Sequence, residues 1–178
     1  LKKLPIFLFL STSLFLACGP AGKQKDLQTI SSLEKRLFGD SLNPPKPAVI
    51  DSLLTEYGGF AQTYAKDSLA PIFLFKAGEL CISTNQGHKA LGYFDQVYRL
   101  FPNHEKASYA LFMKGFIYDG PLQDTAKARQ YYTEFIQKYP QHPLSADALF
   151  SIRNLGKTDE ELIREFEAKL DSTGQNLF

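Results

Sequence analysis

An all-α fold of stacked helical hairpins is what this sequence predicts, on three observations. The pairs Leu74-Phe75, Leu111-Phe112 and Leu149-Phe150 recur at spacings of 37 and then 38 residues. Between these marks the apolar residues keep the three-and-four spacing of an amphipathic helix, not the alternation of a strand. The segments Lys89-Ala90-x-x-Tyr93-Phe94 and Lys127-Ala128-x-x-Tyr131-Tyr132 also recur 38 residues apart, and Phe101-Pro102 and Tyr139-Pro140 close them. A period of this size is one supersecondary unit that cannot bury its apolar face alone and must stack on its neighbours.

Composition agrees with a compact body. The 178 residues are 44% hydrophobic and 13% aromatic, enough for a real core without the long apolar runs of a membrane bundle. Lys and Arg number 20 against 19 Asp and Glu, a net charge of +1, which argues against the basic face of a nucleic-acid binder. Two cysteines exclude a disulfide-dense mini-domain.

Taken in order, the chain opens with Lys2 and Lys3 ahead of an apolar run from Leu4 to Ala17. A spanning helix needs about 20 residues, so this run suits the apolar region of a secretory signal, and residues 1–17 are read as one. The run ends in Leu14-Phe15-Leu16-Ala17-Cys18-Gly19, which resembles the lipobox of bacterial lipoproteins, although Phe15 and Leu16 depart from that family's preferred Leu and small residue. The resemblance implies cleavage before Cys18, a thioether-linked diacylglycerol on its sulfur and a third, N-linked acyl chain. Each buried methylene contributes about 0.8 kcal/mol, so three chains hold a protein firmly on a bilayer. In such families an Asp after the cysteine retains the protein in the inner membrane; Gly19 in its place implies the outer membrane. No acidic cluster comes after it, which favours the periplasmic face and leaves surface exposure open. Residues 18–26 lack apolar periodicity and read as a lipidated flexible tether.

Residues 27–178 read as the helical body. Leu27 to Phe38 and Asp51 to Tyr64 form a first hairpin across the proline-rich stretch 43–47. Ile72, Phe73, Phe75, Leu80 and Ile82 share the next helix; Leu91, Phe94, Val97, Tyr98 and Phe101 share its partner, which Pro102 ends. Ala77, Gly78, Ala90, Gly115 and Ala128 fall where helices cross. A helical glycine costs roughly 0.8 to 1 kcal/mol against alanine, so Gly78 and Gly115 point to close packing. Ser145 to Leu155 and Asp159 to Leu170 give a last hairpin, with 145–171 read as a cap. Its Ile163, Phe166 and Leu170 share one face and are expected to shield the preceding helix, while Glu160, Glu161, Glu165 and Glu167 face water.

The unit resembles the tetratricopeptide repeat (TPR), best over 68–102 and 105–140. Pro102 and Pro140 match its closing proline, Ala90 with Phe94 and Ala128 with Tyr132 its second helix, and Leu74, Ala77, Gly78 and Leu111, Lys114, Gly115 its first. Lys114 departs at a usually apolar position. With the lipobox, the chain is similar to outer-membrane TPR lipoproteins such as the β-barrel-assembly accessory lipoprotein and the Tol-Pal coordinator. This resemblance implies a TPR-like right-handed solenoid after a lipoprotein signal peptide. It further implies a non-catalytic scaffold that binds protein or peptide partners at the periplasmic side of the bacterial outer membrane, in envelope or outer-membrane protein assembly. The alternatives are a structural subunit of a larger envelope complex, or a repeat-domain fragment of an envelope hydrolase. By the family's register Phe75, Phe112 and Phe150, with Tyr109 and Phe116 a turn either side of the middle one, face the partner-binding groove. The same spacing fits a row lining the core between helices.

Chemistry of other kinds finds little support. His104 and His142 hold one turn position in successive units, near 10 Å apart, too far to share a metal ion. His88 reads as a first-turn residue. No paired Cys-x-x-Cys, Gly-rich phosphate loop or Gly-x-Ser-x-Gly elbow occurs, so no catalytic residue, cofactor or metal is expected. Cys81 lies on an apolar helix and reads as a buried free thiol, unpaired with Cys18.

Overall fold

The computed structural model describes residues 20–39 and 46–173; the signal segment 1–17 and Cys18 lie outside the described residues. Among those described there are eight helices and no strand: α1 (Pro20–Phe38), α2 (Pro47–Thr63), α3 (Ala70–Ser83), α4 (Gly87–Leu100), α5 (Lys106–Asp119), α6 (Thr125–Lys138), α7 (Ser145–Asn154) and α8 (Asp159–Thr173). Each helix from α1 to α6 packs on the next, and α3 also touches α5. The result is a TPR-like solenoid of hairpins whose first helices are α1, α3, α5 and α7. No described helix is long and apolar enough to cross a membrane.

Local chemistry sets the helix starts. Prolines occupy the first turn of α2 and α3, where a missing N–H costs nothing. Asp124 caps α6 by accepting from the Lys127 N–H at 3.0 Å. The turns entering α3, α5 and α7 share one device. The Asp67 carboxylate accepts from the Leu69 N–H, His104 Nδ1 from the Lys106 N–H, and His142 Nδ1 from the Leu144 N–H, at 2.9, 3.1 and 3.2 Å. Helix exits repeat as well, with Asn85 and Gln123 both in the left-handed region at φ 57° and 51°. The Gln86 N–H bonds back to the Cys81 carbonyl, and the Asp124 N–H to that of Tyr118. The second of these turns is one residue longer, which is where the spacing grows from 37 to 38.

The expected close crossings are present. A Cβ added to Gly78 would lie 2.6 Å from the Phe94 ring, and one added to Gly115 would lie 2.7 Å from that of Tyr132. Ala77, Ala90 and Ala128 are fully buried beside them. The larger core runs from α1 to α5 through Leu53, Tyr57, Leu74, Phe94 and Val97. A smaller one around Leu111, Tyr132, Phe135 and Ala148 joins α5, α6 and α7. Tyr98 packs against both.

Two expectations need correction at the ends. The stretch 18–26 is expected to be a flexible tether, yet α1 begins at Pro20. What holds its first turns is polar: Lys23 pairs with Asp67, and the Tyr64 hydroxyl donates to Asp26 at 2.8 Å. Apolar periodicity is blind to such contacts. At the other end α8 forms, but Ile163 is 57% exposed, and no described side chain of α8 belongs to either core. Phe166 and Leu170, the other members of the expected shielding face, have side chains outside the described set.

Candidate partner-binding surface

The first helices set one aromatic register position in three environments. Phe75 is 6% exposed, its ring 5.1 Å from Phe94 and 6.5 Å from Tyr109, with Lys106 Nζ 5.1 Å from its centroid. It is a core residue, so of its two sequence readings the inter-helix one applies. Phe112 is half-buried against Tyr132 and Phe135, at 5.4 and 5.5 Å. Phe150 is 64% exposed. The difference is one of cover. Rings from α4 and α5 close over Phe75, and α6 partly closes over Phe112. No described side chain of α8 covers Phe150 in the same way. Tyr109 is half-buried, edge-on to His142 at 4.7 Å, and Phe116 is 42% exposed.

The same face carries features that sequence reasoning missed. Phe38, at the end of α1, is largely exposed and borders a cavity of about 320 Å³ between α1 and α3, with Tyr57 and Leu80 among its lining. The Glu34 carboxylate inside it accepts from Lys76 Nζ and from the Tyr57 hydroxyl, both at 2.7 Å. Burial pushes Glu34 up, but these bonds and the Lys76 charge outweigh it and hold the carboxyl below its ordinary value of 4.5. Burial, and then Glu34, raise the Tyr57 phenol. Nothing in the apolar period could locate this triad, whose members sit 23 and 42 residues from Glu34.

Lys114, the departure noted in the sequence, crosses from α5 to the second helices. It is 8% exposed, ion-paired with Asp95 at 2.8 Å, and 4.6 Å from the Tyr131 ring centroid. Burial disfavours its charge, yet the Asp95 bond prevails and raises its pKa. Cys81 is a buried free thiol, its pKa raised by burial. Among the described residues no cluster of three or more candidate metal ligands gathers; the turn histidines spend Nδ1 on helix caps.

Against this geometry, the tetratricopeptide repeat family matches at residues 109–142, from Tyr109 on α5 to its ring partner His142 beyond α6. No curated protein and no solved structure matches the chain. Its class is therefore that of a helical solenoid built from hairpins, one of which is a tetratricopeptide repeat. Such repeats generally mediate contacts between proteins.

Proposed function

We propose that this protein is a non-catalytic scaffold that binds protein or peptide partners along its first-helix face. Lipid on Cys18 would hold it at the periplasmic side of the bacterial outer membrane, where it serves envelope or outer-membrane protein assembly. The observation that carries the binding role is the exposure of Phe116 and Phe150, two large aromatics on consecutive first helices, in a solenoid that contains a tetratricopeptide repeat. Exposed aromatics of this size are the usual anchors of an interface, each burying about 150 Å² or more against a partner. The anchor rests on the lipobox alone, and acyl mass on the mature N-terminal cysteine is its direct test.

The binding role is tested by crosslinking and co-purification from detergent-solubilised envelopes, with the full chain and with its Phe116→Ala/Phe150→Ala double variant. Loss of two anchors is expected to cut recovery of the specific partners by about tenfold or more, while the melting temperature falls little because neither ring belongs to either core. Undiminished recovery from the double variant would remove this face as the binding site.

A further inference from the structure

The repeat allows each interval of the solenoid to be compared with the next, position by position. Between α4 and α6 the interval is filled from within. Lys114 reaches Asp95 and lies over Tyr131. The Tyr98 hydroxyl donates to Glu134 at 2.7 Å, and Lys138 Nζ sits 4.7 Å from the Tyr98 ring centroid.

One unit earlier, between α2 and α4, the helix ends correspond. Tyr64 and Phe101 end their helices with φ of −117° and −128° and ψ of 50° and 53°, and the Asp67 and His104 caps beyond them correspond. The side chains do not correspond. Gly58 stands for Asp95, Ala61 for Tyr98, Ala77 for Lys114 and Leu100 for Lys138, while Tyr93 remains in the place of Tyr131. The missing atoms leave a cleft of about 660 Å³ bordered by Gly58, Ala61, Leu74, Tyr93, Gln96 and Leu100. A Cβ added to Gly58 meets nothing within 4 Å, and Leu100 on the rim is 64% exposed.

We propose that this cleft receives an aromatic side chain from a partner protein, seated between α2 and α4 as Tyr98 is seated between α4 and α6. The precedent is internal: the corresponding interval one unit on closes around a tyrosine ring. The chemistry agrees, since Ala61 and Leu74 give an apolar floor and Tyr93 a ring for edge-to-face contact. Gln96 takes the position of Glu134, the acceptor of the Tyr98 hydroxyl; its Nε2 donates to the Gly92 carbonyl, which leaves Oε1 to accept a phenol. With Leu100 in place of Lys138 the rim is uncharged, so tyrosine, phenylalanine and tryptophan all fit. The cleft shares no residue with the exposed first-helix aromatics, and either surface can fail without the other.

The probe is a phage-displayed library of random peptides of roughly 12 residues, selected on the full chain and depleted on its Ala61→Tyr variant, which restores the ring from within. The selected peptides are expected to share one aromatic residue. Replacing that residue by alanine, or binding to Ala61→Tyr, is expected to weaken affinity about tenfold or more. Leu100→Lys changes an exposed residue and leaves the fold intact; it should strengthen tyrosine peptides relative to their phenylalanine counterparts, as Lys138 engages the Tyr98 hydroxyl. No enrichment, enriched peptides without a shared aromatic, or binding that Ala61→Tyr leaves intact would overturn the proposal. So would displacement of the peptides by octanoate but not by p-cresol, which would mark an acyl-chain groove. If Ala61→Tyr does not fold, library depletion is omitted and the tyrosine-to-phenylalanine ratio on Leu100→Lys decides, an unchanged ratio counting against it.

Discussion

Gly78 and Gly115 face the rings of Phe94 and Tyr132 so closely that a methyl group cannot enter without moving them. Overpacking of this kind costs about 1 to 3 kcal/mol, more than the gain of up to about 1 kcal/mol from replacing a helical glycine by alanine. Gly78→Ala and Gly115→Ala are therefore expected to lower stability in urea denaturation. Gly92, on the exposed side of α4, is the control. An added Cβ there meets nothing within 4 Å, and Gly92→Ala should raise stability by about 0.5 to 1 kcal/mol. If all three changes stabilise, the glycines are not spacers. Lys114 shows the other way a repeat position can vary. In place of the fully buried Ala77 it brings a charge inward, which is tolerable because Asp95 pairs with it and two tyrosine rings flank it. The sequence exposes the anomaly at position 114 but not its pairing, because its partners lie on different helices and the balancing charge, Asp95, is outside the apolar period.

At the scale of elements, α1 is fixed by two kinds of contact. Ile30, Leu33 and Leu37 are buried, and Glu34 binds both Lys76 of α3 and Tyr57 of α2. Because the folded-state pKa of Glu34 lies below its ordinary value of 4.5, its stabilisation is present above that pH and is lost as pH falls through the lowered value. Glu34→Gln is thus expected to be less stable than the wild type at neutral pH, with the gap closing as pH falls below the ordinary carboxylate value and through the lowered one. A gap independent of pH would show that the carboxylate charge contributes nothing to docking α1. The central hairpins were legible in the sequence because a small residue and a large ring must face each other at every crossing, and that pair recurs as Gly78 with Phe94 and Gly115 with Tyr132. The start of α1 was not, since its first turns are held by Lys23 and Asp26, residues that a hydrophobic pattern scores as linker. Neither was the fate of the aromatic row: whether Phe75, Phe112 or Phe150 is covered depends on which side chains the neighbouring helices bring over it, and one helical period carries no such information.

Across the whole molecule the core is uneven. Nine residues of α3 are buried, whereas α7 buries only Ala148. In a quasi-one-dimensional stack, where each unit leans on its neighbours, local opening should track that gradient. Native-state hydrogen exchange is expected to show the slowest amides in α3 and α4 and the fastest, among α2 to α7, in α7. Equal protection of α4 and α7 would mean that the stack opens as one unit.

That gradient also has a direction along the chain. A polypeptide leaves the ribosome, or a translocation channel, with its N-terminal side first, and units that appear early can fold before later ones arrive. Here the larger core is complete once α5 has appeared, so the nascent chain can bury most of its apolar surface while α6 and α7 are still being delivered. The poorly covered hairpin comes last and adds to a structure already formed, which shortens the time the chain spends with its largest hydrophobic surfaces open to other proteins.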